Sequence, residues 1–220
     1  GQRGPGAGGV RCCPRRVSQA AAGNAGGDAR QLGVEVHARA RAQLTTPGAT
    51  KWYRGGGRSA RSSTTVRAGD GAVVEWMPQG TIVYHGAEAA ATLNVDLRGD
   101  AICIGWDVVC LGRTASAERF DAGEWRQRVD VRRDDALIWS ERAVLAGTSM
   151  QMHALSGLNG APVFGTFMAV AKNIDDSLLA QCRGIPPASG EGVVTRFPGA
   201  LIARYRGHAS AAAQAWFIAL

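Results

Sequence analysis

The 220-residue chain carries 25 Lys and Arg against 18 Asp and Glu, a net charge of +7, and 45% of its residues are hydrophobic. Such a length and composition suit one large domain, or two small ones, with enough apolar content to fold without disulfides. The arginines are spread along the whole chain and Lys51 and Lys172 are the only lysines, so the excess charge forms no basic block and nucleic-acid binding is not indicated. The 30 glycines are about twice the usual share of roughly 7%, which favours turns and short strands over long helices.

Residues 1–25 are rich in Gly, Ala and Arg without an apolar period, and Cys12-Cys13-Pro14-Arg15-Arg16 reads as neither strand nor helix. This stretch is expected to be atypical, disordered or out of frame. From residue 31 the pattern changes: Leu32, Val34 and Val36 alternate with Gly33, Glu35 and His37, the period of a strand. Residues 45–57 are turn-rich. Strand-like runs follow at 63–67, 72–77, 81–84, 91–97, 101–109, 125–133 and 136–145, divided by Gly69-Asp70-Gly71, Gly86 and Gly99-Asp100. Strand and turn repeat about every ten residues, the mark of an all-β chain. Residues 173–183 read as a helix capped by Asn173, with Asp175 and Asp176 in its first turn and Gly184 as its stop. Residues 193–206 return to strand, and 209–220 form a second helix. The expected fold is mainly β with two short α-helices in the C-terminal third. Periodicity alone leaves a sandwich and a stacked β-coil both open.

Cysteines stand at 12, 13, 103, 110 and 182 with no C-x-x-C pair, so free thiols in a reducing compartment are expected. Cys103 and Cys110, seven apart, would face opposite sides of an unbroken strand as small apolar residues. No apolar run is long enough to span a membrane and no signal segment is seen, so the expectation is a soluble, cytoplasmic protein. Thr45 to Lys51 lacks the glycine before the lysine of a phosphate loop and reads as a turn before a strand. His37, His85, His153 and His208 are far apart, and none accompanies a nucleophile signature. A histidine-centred hydrolase would require one of them beside a Ser or Cys and a carboxylate. Glu75, Asp107, Glu118, Asp121 and Glu141 could together line a polar passage, although each alone reads as a surface carboxylate.

Three motifs, in order and in register, carry a resemblance. Leu44-Thr45-Thr46-Pro47-Gly48-Ala49-Thr50-Lys51-Trp52-Tyr53-Arg54, Glu75-Trp76-Met77-Pro78-Gln79-Gly80-Thr81-Ile82-Val83-Tyr84-His85-Gly86-Ala87 and Leu111-Gly112-Arg113-Thr114-Ala115-Ser116-Ala117-Glu118-Arg119-Phe120 are similar to the signature stretches of the urease accessory protein UreD (UreH) family. Gly26-Gly27-Asp28 resembles the end of a glycine-rich family motif, and Val194 to Tyr205 a late strand. The resemblance covers about residues 26 to 206 and implies a single domain over 26–220, truncated at both ends.

The resemblance implies a scaffold of stacked β-layers without catalysis of its own. It implies assembly with UreF, through it with the GTPase UreG, and docking on apo-urease. It also implies an internal route for transient Ni²⁺, with no tightly bound cofactor. By motif position Asp28 and Glu141 would lie on that route, and His85 would offer an imidazole where the family usually has Asp. The family usually has Glu at the positions of Gly80 and Asp107. A degenerate member acting only as a protein-binding module is the alternative.

Overall fold

The computed structural model describes residues 13–16 and 23–220. Most of the atypical stretch 1–25 lies outside these residues. Within it, Cys13–Arg16 form β1, paired in parallel with β3 (Arg41–Thr45), where the sequence suggested no regular structure. Asn24 is buried and bonded to the strand that follows the first turn: its N–H donates to the Lys51 carbonyl, and its own carbonyl accepts from Tyr53.

The chain then winds as a stacked coil between two sheets. β2 (Ala29–Val36), β5 (Ala60–Ala68), β8 (Glu88–Leu97) and β10 (Glu124–Arg133) lie side by side and parallel in a five-stranded sheet, which β11 (Ala136–Ala146) closes as an antiparallel edge. Between them the chain crosses to a nine-stranded sheet. There β3 (Arg41–Thr45), β6 (Val73–Trp76) and β9 (Ile102–Leu111) are parallel, and β4 (Thr50–Trp52) and β7 (Thr81–Val83) pair beside the far end of β9. The large sheet continues antiparallel through β12 (Val163–Val170) and β14 (Ala200–Gly207) to β13 (Glu191–Phe197). Helices α1 (Asp176–Arg183) and α2 (Ser210–Ala219) cover its outer face.

The corners stack because polar turns bond to one another. The Arg39 N–H donates to the Asp70 carbonyl, the Asp100 N–H to Asp70 Oδ1 at 2.9 Å, and the Gly99 N–H to Asp134 Oδ1 at 3.0 Å. Gly99 has φ +51°, and an added Cβ would overlap the Asp70 carboxylate.

Burial divides into three clusters. Val66, Val74, Val95 and Val131 fill one end of the space between the sheets; Trp52, Val83, Trp125 and Leu145 fill the other. Trp106, Val108, Trp216 and Phe217 lie between the large sheet and the helices. Strand β9 shows the two-faced pattern: Cys103 belongs to the inter-sheet cluster and Cys110 to the helix-side one, both buried, as their odd spacing implies. Burial pushes the Cys103 thiol up to about 12.

Several boundaries differ from expectation. Strands β3 and β4 bracket the turn at Thr46–Ala49, and β12 was not foreseen. Residues 193–206 form two strands folded back at Pro198-Gly199, with Gly199 at φ +78°. Helix α1 starts at Asp176, and its cap is Asp175, whose side chain accepts from the Leu178 N–H at 2.8 Å, not Asn173. No helix among the described residues is long and apolar enough to cross a membrane.

Candidate functional site

Strand alternation turns Cys103, Asp107, Val109 and Leu111 of β9 toward the small sheet. On β10 the same phase carries Trp125, Gln127, Val129 and Val131. Asp107 and Gln127 therefore meet between the sheets, in the gap that separates the two apolar clusters. Gln127 Nε2 donates to Asp107 Oδ2 at 2.9 Å, and Trp125 Nε1 donates to Gln127 Oε1 at 3.3 Å. A cavity of about 90 Å³ opens beside them, lined also by Asn24, Thr46, Thr50 and Thr64. The lining is mixed, with Leu32, Trp76 and Leu93 beside the polar groups, and the space has room for a few waters. Asn24 Oδ1 and Trp52 Nε1, buried and on the lining, have no hydrogen-bond partner among the described residues.

The polar row continues toward the surface. Thr166 on β12 stands opposite Asp107 in the ladder, and its hydroxyl donates to Glu141 Oε1 of β11 at 3.0 Å. Glu141 Oε2 accepts from Arg204 Nη2 at 2.6 Å and Nε at 3.2 Å. The Glu141 side chain is 17% exposed and that of Arg204 58%, so the row leads from the interior to an outer groove. The Asp107 carboxyl is raised to about 6, chiefly by burial; the Val108 backbone hydrogen bond opposes the rise and the Glu141 charge contributes to it. Asp107 therefore changes charge close to neutral pH.

The expected site residues do not form one cluster. Glu141 lies on the polar row. Asp28 closes its own turn, accepting from the Ala25 N–H at 2.8 Å, four residues after the cavity-lining Asn24. His85 is exposed, away from the row: its N–H donates to Glu118 Oε1, and Nδ1 lies 3.2 Å from the Arg119 carbonyl. Of the other carboxylates, Glu75 bonds to Gln43, Glu118 to Arg113 and Asp121 to Arg119, so of the five only Asp107 and Glu141 lie on the polar row. Gly80 has φ +108°, a conformation that a glutamate side chain would strain. Among the described residues no three His, Cys, Asp or Glu side chains come together as a metal site. His153 and His208 line a separate pocket with Glu118 and Asp121, without a Ser or Cys in its lining.

Gln127 is the residue that sequence reading missed. Its signal was present: it occupies the apolar phase of β10, between Trp125 and Val129, as Asp107 does on β9. A polar residue in the buried phase of a strand is an inward polar group that must find a partner.

A family model described as "UreD urease accessory protein" matches residues 4–220. A protein named "Urease accessory protein UreD" from Azoarcus sp. is 42% identical over 205 residues, covering 93% of this chain and 72% of that relative. Proteins of the same name from Nitrosococcus oceani (40% identical) and Pseudomonas fluorescens (42%) each cover 96% of this chain and 71% and 75% of their own lengths.

Proposed function

The chain belongs to the UreD urease accessory protein family, and from that premise we propose that it serves urease maturation as a non-catalytic scaffold through whose inter-sheet polar row Ni²⁺ passes to the urease active site. The assembly partners in this reading are UreF, UreG bound through UreF, and apo-urease.

One observation supports the nickel step above the others: the oxygen-bearing side chains Asp107 and Gln127 on an interior cavity neighbour Thr166 and Glu141 on a surface groove, through the ladder pair Asp107–Thr166. Nickel is cargo here, and cargo must be released. Imidazole and thiolate hold Ni²⁺ more firmly than single carboxylates and amide or hydroxyl oxygens. A passage with spaced carboxylates and no three-ligand cluster suits transit better than storage. Asp28, four residues after the cavity-lining Asn24, is the candidate acid for the approach. His85, being off the row, is left out of it.

The test is a pull-down of the chain with UreF and UreG, followed by activation of apo-urease with Ni²⁺. The reading expects the complex to form, and expects Asp107→Ala to leave it intact while lowering activation several-fold. Complex formation with no dependence of activation on the chain would leave it a binding module only.

A further inference from the structure

The two sheets are unequal, and the excess is confined to one side. Asp107 of β9 faces Gln127 of β10, and Thr166 of β12 faces Glu141 of β11. The small sheet ends at β11, but the large sheet runs on through β14 and β13. Those two strands therefore form a ledge with no strand of the small sheet above them among the described residues. β11 itself, eleven residues long, pairs among the described residues only with β10, so its other edge presents backbone N–H and C=O groups that no described strand meets.

The ledge carries apolar side chains on the same face. Val194 turns into the helix-side cluster, so its neighbours Val193, Thr195 and Phe197 point the other way, toward the vacant strand position. Val193 is 62% exposed and Phe197 43%. A groove of about 510 Å³ runs between this ledge and β11, lined by Glu141, Ala143, Leu145, Val193 and Arg204. Leu155, 79% exposed, stands at its end, where its carbonyl accepts from Arg206.

We propose that β11 and this ledge form a docking slot for an extended acidic–apolar segment of a partner protein, which adds as a sixth strand to the small sheet. Backbone pairing to a free edge supplies the affinity of such an addition, and alternate side chains supply the specificity. Charge selects the occupant. Arg206 is fully engaged by Glu191, Leu155 and Gly157. Arg204 gives only Nε and Nη2 to Glu141, so its Nη1 has no partner among the described residues, and Arg142 beside it is exposed. A carboxylate on the ledge face of the entering strand meets Arg204 Nη1, while Arg142, opposite Arg128 in the ladder, lies on the outer face. A second copy offering its own β11 would instead bring another Arg142 to an outer face that already carries Arg126, Arg128 and Arg142. The slot is the groove into which the polar row leads, and Glu141 lines both, but filling it requires no nickel.

Hydrogen–deuterium exchange of the whole chain tests this, with the capped peptide Val-Thr-Glu-Thr-Val-Thr-Val as probe. In register, its odd positions lie on the ledge with the Glu toward Arg204. The peptide is expected to slow exchange of free-edge amides in 136–146 by about tenfold. The same peptide N-methylated at its central amide is expected to do nothing, and Val193→Asp, at an exposed position, to weaken binding by about tenfold. Unchanged exchange at millimolar peptide, or equal protection by the N-methylated form, overturns the proposal. Edge amides that are already protected in a chain sedimenting as a dimer overturn it too, in favour of a second copy.

Discussion

At Asp107 burial and hydrogen bonding oppose each other, and burial wins, holding the carboxyl near 6 in the folded chain against an ordinary value of 3.8. A raised folded value means that the fold favours the neutral form. The associated stability is complete below the unfolded value and is lost as pH rises through about 6. Two units correspond to about 3 kcal/mol. Asp107→Asn keeps an oxygen to accept from Gln127 and carries no charge. It is expected to raise Tm at pH 8 by roughly 6–12 °C, at roughly 2–4 °C per kcal/mol for a chain of this size. The gain should vanish near pH 4. A gain equal at both pH values would mean that charge burial is not its source. A destabilising carboxylate kept in the interior is the kind of cost that functional sites carry. Sequence reading did name Asp107 and Glu141 among acids able to line a passage, but as two of five. Nothing in their spacing showed that β9 and β11 bring their inward phases together through Thr166.

Among the elements, strands with one apolar face were legible, whereas β12, buried on both, was missed. Residues 125–133 alternate because β10 packs inward and leaves Arg126 and Arg128 outside. β12 has the large sheet's two buried faces, so Val163–Val170 shows no alternation and Gly165 interrupts it further. An added Cβ at Gly165 would meet the Asp107 carbonyl and the Phe217 ring, each at 2.9 Å. The strand gives up its pattern to let α2 approach. The turn at Pro198-Gly199 was visible as a dipeptide, yet flanking strands of similar composition masked the reversal. At α1, Asn173 and Asp175 both have cap chemistry, and only the structure shows that Asp175 makes the bond to Leu178. Asp175→Ala is expected to cost about 1 kcal/mol. That corresponds to a Tm lower by roughly 2–4 °C, and Asn173→Ala should cost less. The reverse order in thermal melts would place the cap back at Asn173.

For the molecule as a whole, parallel coiling explains why a polar passage can exist inside a β-protein. Each coil adds one strand to either sheet, and the inward residue at one level repeats from coil to coil. Where adjacent levels carry Ser62, Thr64, Asp107 and Gln127 in place of valine, the sheets stay apart and a cavity remains between two apolar ends. The mainly β class and the two late helices were readable from strand and turn spacing. The stacked coil was implied by family resemblance and not by periodicity, because parallel pairing between residues thirty positions apart leaves no local mark.

The most direct measurement is the nickel content of urease matured with a chain whose cavity is filled. Ala91 lines the cavity from β8, and Ala91→Leu puts apolar volume into it without touching Asp107 or any surface group. The account predicts that this variant binds apo-urease and its accessory partners as the parent does and melts no lower, yet loads markedly less nickel per urease active site. Full nickel loading by a variant whose cavity is shown to be filled would contradict passage between the sheets.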